Sequence, residues 1–183
     1  ALALAIVAGC AIDAPPAAMV LPLGLPDLPF HLRLDALSAV FLLLLGGTSA
    51  AISLFSSGYF RTSEGTAPGV VCFQYHAFLA AMALVLVADD AYVFMVAWET
   101  MALASFFLVT TDHRLPEIRR AGFLYLLIAH VGALAILLCF GVLQGGSGDY
   151  TFDAMRAIEL AGAWPSIAFF LALVGFGAKA GLL

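Results

Sequence analysis

Three ionisable residues stand where the hydrophobic sequence is densest. Glu99 lies about nine residues into the apolar run 91–110, His130 about ten residues into the run 121–143, and Lys179 about fifteen into the run 165–183. At a rise of about 1.5 Å per residue, the first two fall near the centre of helices long enough to cross a bilayer. A carboxylate, an imidazole and an amine in one apolar setting control each other's protonation, because burial disfavours each charged form and a nearby opposite charge favours it. That is the chemistry of a proton relay. Placing a charge at this depth costs about 2.5–3.5 kcal/mol, whereas each Leu or Phe contributes only about 0.3–0.6. The three side chains are therefore expected to face a helix-bundle interior, be neutralised, or both.

Their neighbours suit interior positions. Ala97, Ala102, Ala104 and Ser105 surround Glu99, and Ala129, Gly132 and Ala133 flank His130; small residues let helices approach closely. Around Lys179 the run Gly175-Phe176-Gly177-Ala178-Lys179-Ala180-Gly181 carries three glycines, each of which weakens a helix by about 1 kcal/mol relative to Ala. The last span is thus a candidate for the broken helices that line transporter sites. Two plainer readings stay open: Glu99 and Lys179 as a buried pair that only fixes helix register, and His130 as a neutral ring bonded to a neighbouring helix.

The elements that must position these groups are helices in lipid. Of the 183 residues 64% are hydrophobic and 10% charged, far from the roughly 25% charged of a soluble domain. The expected fold is an all-α polytopic transmembrane helix bundle, one domain over 1–183 with about six spans: 1–12, 34–57, 70–88, 91–110, 121–143 and 165–183. The formal net charge of -5 offers no basic surface, so nucleic acid is excluded as a partner. Cys10, Cys72 and Cys139 lie far apart in apolar runs, with no CxxC motif and no histidine at ligand spacing, and are expected as small core residues. Val7-Ala8-Gly9-Cys10 looks like a lipoprotein processing site, but no initiator Met or basic segment precedes it. Residues 1 to about 12 read as the end of a helix whose start is missing, and Leu183 falls inside an apolar run, so both ends are expected to be truncations.

Between the spans lie the punctuating segments. Pro15, Pro16, Pro22, Pro26 and Pro29 cannot continue a helix, so residues 12–33 are expected as a loop. Asp35 precedes a helix start, where a carboxylate suits the positive end of the helix dipole. Asp89 and Asp90 form a tip between two spans and are expected to cap the second. The charged run Asp112-His113-Arg114-Leu115-Pro116-Glu117 is a loop whose Pro116 and Glu117 start the next helix. Phe152 to Glu159 reads as a short helix lying at the interface. Asp35, Asp89, Asp90, Asp112 and His113 are candidates for proton-access or helix-end roles. Arg61, Arg114, Arg119 and Arg120 fall on one side and Arg33 and Arg156 on the other, which puts loops 58–69 and 111–120 in the cytoplasm.

The motifs Leu34-Asp35-Ala36-Leu37-Ser38, Ala88-Asp89-Asp90, Ala97-Trp98-Glu99 and Gly175 to Gly181 together resemble the antiporter-like membrane subunits of respiratory complex I and Mrp antiporters. Within that family, Ala97-Trp98-Glu99-Thr100-Met101-Ala102-Leu103-Ala104-Ser105 and Arg119-Arg120-Ala121-Gly122-Phe123-Leu124-Tyr125 through Ala129-His130 look most like the hydrogenase-4 B and formate hydrogenlyase type. The resemblance implies an inverted-repeat fold of which this chain is the N-terminal part. It also implies that Glu99 matches the glutamate of the fifth helix and Lys179 the lysine of a broken seventh helix, with His130 a candidate intermediate carrier.

The expected function is proton translocation coupled to redox chemistry in a partner arm. Expected partners are other membrane subunits, a peripheral hydrogenase-like redox arm, the lipid bilayer and protons, with sodium as the alternative ion. The expected location is the bacterial inner membrane. The rivals are an Mrp-type cation/proton antiporter subunit and a non-conducting scaffold. The sequence carries no phosphate loop, haem histidine pair, HExxH or Ser/His/Asp set, so no catalytic site, metal or cofactor of its own is expected.

Overall fold

The helices begin where the sequence offers a start signal and run as far as apolar sequence allows. In the computed structural model, which describes residues 1–59 and 67–182, these are α1 (Leu2–Ala11), α2 (Ala36–Tyr59), α3 (Pro68–Val87), α4 (Ala91–Val109), α5 (Pro116–Leu143), α6 (Phe152–Ala157) and α7 (Trp164–Ala180). Arg61, read from sequence as part of the loop 58–69, lies outside the described residues. Pro68, Pro116 and Pro165 stand in the first turns of α3, α5 and α7, where a missing N–H leaves no bond unmade. Among the described residues four helices, α2 to α5, are long and apolar enough to cross a membrane, while α1 and α7 are apolar but shorter. The 17 residues of α7 rise about 26 Å, just under the ~30 Å of a hydrocarbon core.

Helix pairing follows chain order. The helix α4 sits centrally, packed against α3 on one side and α5 on the other; α7 lies along α5, and α1 along α2. Aromatic and small side chains fill the centre: Trp98, Met101, Ala133, Ile136, Phe140 and Met155 form one buried cluster. Phe94 stacks on Trp98 at 5.2 Å between centroids and meets Phe140 and Phe176 edge-on, which ties α4 to α5 and α7.

The proline-rich segment expected as a loop is instead a β-hairpin, β1 (Ala17–Leu25) paired antiparallel with β2 (Leu28–Leu34). The prolines sit where a ladder tolerates them. Pro22 falls in the register shift between Leu21 and Gly24, and Pro26 precedes Asp27, which turns the chain at φ 68. Gly24, at φ 117, is required because a Cβ there would lie 2.4 Å from the Leu28 carbonyl oxygen.

The hairpin is pinned to the α3–α4 tip. The His31 carbonyl accepts from the Asp89 N–H at 2.9 Å, and Leu32 bridges Ala88. Asp90, only 3% exposed, caps α4 by accepting from the Val93 N–H at 2.6 Å, as its sequence position leads one to expect. Its other oxygen accepts from the His31 N–H at 2.9 Å and faces His31 Nδ1 at 2.9 Å. Asp90 also bridges Thr151, and the Asp89 carbonyl accepts from the Phe152 N–H at 3.1 Å, which brings the segment before α6 to the same end. Arg33 then joins Asp89 at 3.2 Å to Asp153 at 3.3 Å. Burial pushes the Asp89 carboxyl above the usual carboxylate range, against the pull of Arg33.

Replacing Asp90 with Ala leaves the Val93 and His31 N–H groups without an acceptor. The expected loss is about 3 kcal/mol, or roughly 6–12 °C in unfolding temperature. Asp90→Asn, which keeps one acceptor oxygen but turns an NH2 donor toward the other N–H, should lose half of that or more. Thermal unfolding of the purified protein in detergent, followed by tryptophan fluorescence, measures both.

Candidate functional site

Glu99 projects from the middle of α4 and His130 from the middle of α5, and the two meet across the helix pair. His130 Nε2 lies 3.6 Å from Glu99 Oε2. The other ring nitrogen, Nδ1, stands 2.9 Å from the Leu126 carbonyl oxygen one turn earlier. A carbonyl only accepts, so Nδ1 carries hydrogen and Nε2 is the nitrogen left to exchange it. Between Nε2 and the carboxylate there is room for one mobile proton, held on the imidazole as an ion pair or on the carboxyl as a neutral pair. At 3.6 Å the contact is electrostatic, and a small closure would make it a hydrogen bond.

Among the described helices, the buried positions around these two groups are held by their neighbours. Ala97, Ala102, Ala104, Gly132 and Ala133 are buried, together with Trp98 and Met101. The side chains of Glu99 and His130 remain 34% and 49% exposed at the edge of that core. A helix advances about 100° per residue, so once Trp98 fills the centre Glu99 points to its border.

Lys179 is held separately. Its Nζ donates to the Tyr125 hydroxyl at 3.1 Å and lies 5.6 Å from the Tyr125 ring centroid and 5.8 Å from that of Trp98. Among the described residues no ion pair joins Lys179 to Glu99, so the buried Glu99–Lys179 pair weighed from sequence is not the arrangement observed. Of the three glycines around the lysine, α7 is continuous through Gly175 and Gly177 and is interrupted at Gly181. It ends just beyond Lys179 at Gly181, whose φ of 80 turns the backbone and whose N–H bonds the Gly177 carbonyl. Lys179 therefore sits in a last turn, where the helix dipole favours a cation.

The glycines serve packing. A Cβ on Gly175 would lie 2.4 Å from Ile136 Cγ1 and 2.9 Å from the Gly132 carbonyl oxygen, and one on Gly132 would lie 2.9 Å from the Ala178 Cβ. Gly132 and Gly175 thus let the backbones of α5 and α7 approach closely, which sets Lys179 against Tyr125.

The remaining candidates are not gathered with these three. Asp35 caps α2, accepting from the Ser38 N–H at 2.8 Å. Asp89 and Asp90 belong to the hairpin junction. Asp112 and His113 are exposed on the α4–α5 loop, where the His113 carbonyl accepts from Arg119. Sequence reasoning missed Tyr125 and Trp98 as partners of Lys179, and His31 as partner of Asp90; these contacts join residues 54 or more positions apart or lie in an aromatic-rich background. Of the cysteines only Cys139 is buried; Cys10 and Cys72 lie on exposed faces, since a small apolar side chain suits an outer helix surface as well as a core. One turn of α3 brings Cys72 Sγ to 3.5 Å of His76 Nδ1, a contact the spacing argument passed over. Among the described residues no group of three or more His, Cys, Asp or Glu could hold a metal ion.

The family described as NADH:quinone oxidoreductase/Mrp antiporter, TM, matches residues 88–183, and the one described as NADH-ubiquinone oxidoreductase (complex I), chain 5 N-terminus, matches residues 21–67. The chain is 38% identical over 152 residues to hydrogenase-4 component B of Escherichia coli (strain K12), covering 83% of this chain and 22% of that protein. Its fold is similar to a chain of the Mrp complex from Dietzia sp. DQ12-45-1b, with a TM-score of 0.81 and 25% identity over 96% of this chain and 20% of the other. It is also similar to a chain of the membrane-bound sulfane sulfur reductase, an archaeal respiratory membrane complex, with a TM-score of 0.71 and 26% identity over 97% of this chain and 28% of the other. The chain spans between a fifth and a quarter of the length of the curated relatives named by these similarities.

Because a Cβ at Gly175 overlaps α5, Gly175→Ala is expected to lower stability by about 1–3 kcal/mol. Gly141→Ala, also in a helix but facing open space, is expected to be neutral or to stabilise by up to about 1 kcal/mol. Parallel thermal melts in detergent separate the two.

Proposed function

We infer the function from one premise: the chain belongs to the NADH:quinone oxidoreductase/Mrp antiporter transmembrane family, a family of multi-pass membrane proteins. We propose that it is the part of a proton-translocating subunit that holds a mid-membrane relay made of Glu99, His130 and Lys179. The observation that carries this reading is the Glu99–His130 contact at the middle of two spans. One proton there has two seats: when the carboxyl releases it the Oε2–H bond breaks and an Nε2–H bond forms, turning a neutral pair into an ion pair. That transfer leaves the pair's net charge at zero, whereas a proton arriving from outside raises it by one, and this change is felt by Lys179, whose ammonium rests on Trp98, the residue next to Glu99. A proton arriving at Glu99 and one leaving Lys179 are thereby linked through their charges, which is what a relay must do in low dielectric.

The similarity to hydrogenase-4 component B supports a place in a hydrogenase-type or complex I-like assembly, with redox chemistry in a peripheral arm driving the protons. That assembly would lie in the bacterial inner membrane. Orientation follows the arginine-rich loop 111–120, which places the hairpin junction on the outer side. Similarity in fold to the Mrp complex favours a second reading, in which the same groups exchange a cation for protons.

The test uses inverted membrane vesicles containing the full-length protein in its complex. Glu99→Gln and Lys179→Met are expected to reduce redox-driven acidification at least tenfold while the complex still assembles, and His130→Ala to reduce it less. Acidification unchanged in Glu99→Gln would sink the relay and leave the scaffold reading. Collapse of a preset ΔpH by added sodium, without electron donor, would favour the cation-exchange reading.

A further inference from the structure

We propose that Tyr125 is the positioning residue of Lys179, fixing the ammonium in a three-helix aromatic seat completed by Trp98; the inference rests on the relay reading above. The seat is built from α4, α5 and α7. Tyr125 offers a hydroxyl oxygen that accepts from Nζ at 3.1 Å, and with the ring centroid 5.6 Å away the amine lies off the hydroxyl end of the ring, close to its plane. Trp98 adds an indole ring at 5.8 Å, whose negative face attracts a cation more strongly in a water-poor site than at a surface.

Trp98 is itself immobilised. Phe94 stacks on it at 5.2 Å, and Phe176 meets it edge-on at 5.7 Å. Phe176 stands three residues before Lys179, on the same face of α7, so the packing that holds the indole also aims the lysine at it. The hydroxyl of Tyr125 is the only specific polar contact given to Nζ among the described residues. In a helix stretch reading Leu124-Tyr125-Leu126-Leu127, that hydroxyl is the one side-chain oxygen. Its role is to stabilise the charged amine at a distance from Glu99, so that Glu99 remains free to exchange its proton with His130.

A hydrogen bond to the charged form favours that form. The charged form is also the one that cannot react as a nucleophile. The test therefore follows acetylation of Lys179 by a membrane-permeant acetyl N-hydroxysuccinimide ester, mapped by mass spectrometry across pH, in the purified full-length complex. Tyr125→Phe, which keeps the ring and its packing, is expected to raise the rate at fixed pH about tenfold and to move the profile by about one pH unit towards acid. Tyr125→Leu, which also lacks the hydroxyl, should raise it at least as much. A loosened helix alone would change the high-pH plateau and leave the midpoint in place. The proposal is overturned if the Tyr125→Phe midpoint coincides with that of the unmodified protein. Vesicle acidification run alongside keeps the two ideas apart. Loss with Glu99→Gln but an unmoved Tyr125→Phe midpoint removes this inference alone. A moved midpoint with normal acidification in Glu99→Gln removes the relay and leaves the seat.

Discussion

A charge at the middle of a bilayer has to be partnered, and the arrangement of α4, α5 and α7 answers to that constraint. Unpartnered, each of Glu99, His130 and Lys179 would oppose insertion by an amount that several leucines are needed to offset. The partners come from neighbouring helices, so the helices must come close. Gly132 and Gly175 permit this at the α5–α7 contact, where added Cβ atoms would lie within 3 Å of the opposite helix. The small residues around the site are thus the geometric condition for pairing its charges.

The same constraint, moved to the end of the bundle, explains the hairpin junction. Asp90 is almost fully buried and would be unfavourable there without donors. It receives backbone N–H groups from α4 and from β2, so one carboxylate both caps a helix and anchors a hairpin. The chain meets there three times, at the hairpin, at the α3–α4 tip and before α6. The ends of α3, α4 and the segment leading to α7 are therefore held in one frame, and the mid-membrane charges inherit their relative heights from it.

What could be read from the sequence follows from which forces act locally. The helices at all six apolar segments, the cap at Asp90 and the start at Pro116 are written in short-range signals of hydropathy, side-chain acceptors and proline geometry. The hairpin was not legible because its pairing depends on β2 docking against Ala88 and Asp89, about sixty positions away, and because five prolines argue locally for a loop. For the site, the insertion penalty picked out Glu99, His130 and Lys179 by depth alone. Depth does not say who pairs with whom. The natural expectation joins carboxylate to amine, yet Glu99 meets the imidazole, while Lys179 meets a phenol hydroxyl and the indole of Trp98, about 100° round α4 from the acid.

That pairing has a consequence for direction. His130 is tied at Nδ1 to the Leu126 carbonyl, so a proton can enter and leave the ring only through Nε2, the nitrogen that faces Glu99. A ring with a single open nitrogen stores a proton; it cannot pass one from one face to the other unless the Leu126 bond breaks and the ring turns. On the proposed relay the carboxylate and imidazole act together, the pair's net charge rising when a proton arrives from outside and falling when one leaves. Lys179 has no carboxylate paired with it among the described residues. On the proposed relay, proton occupancy on α4 and α5 acts through its charge on the amine of α7, across an α5–α7 contact that two glycines keep short.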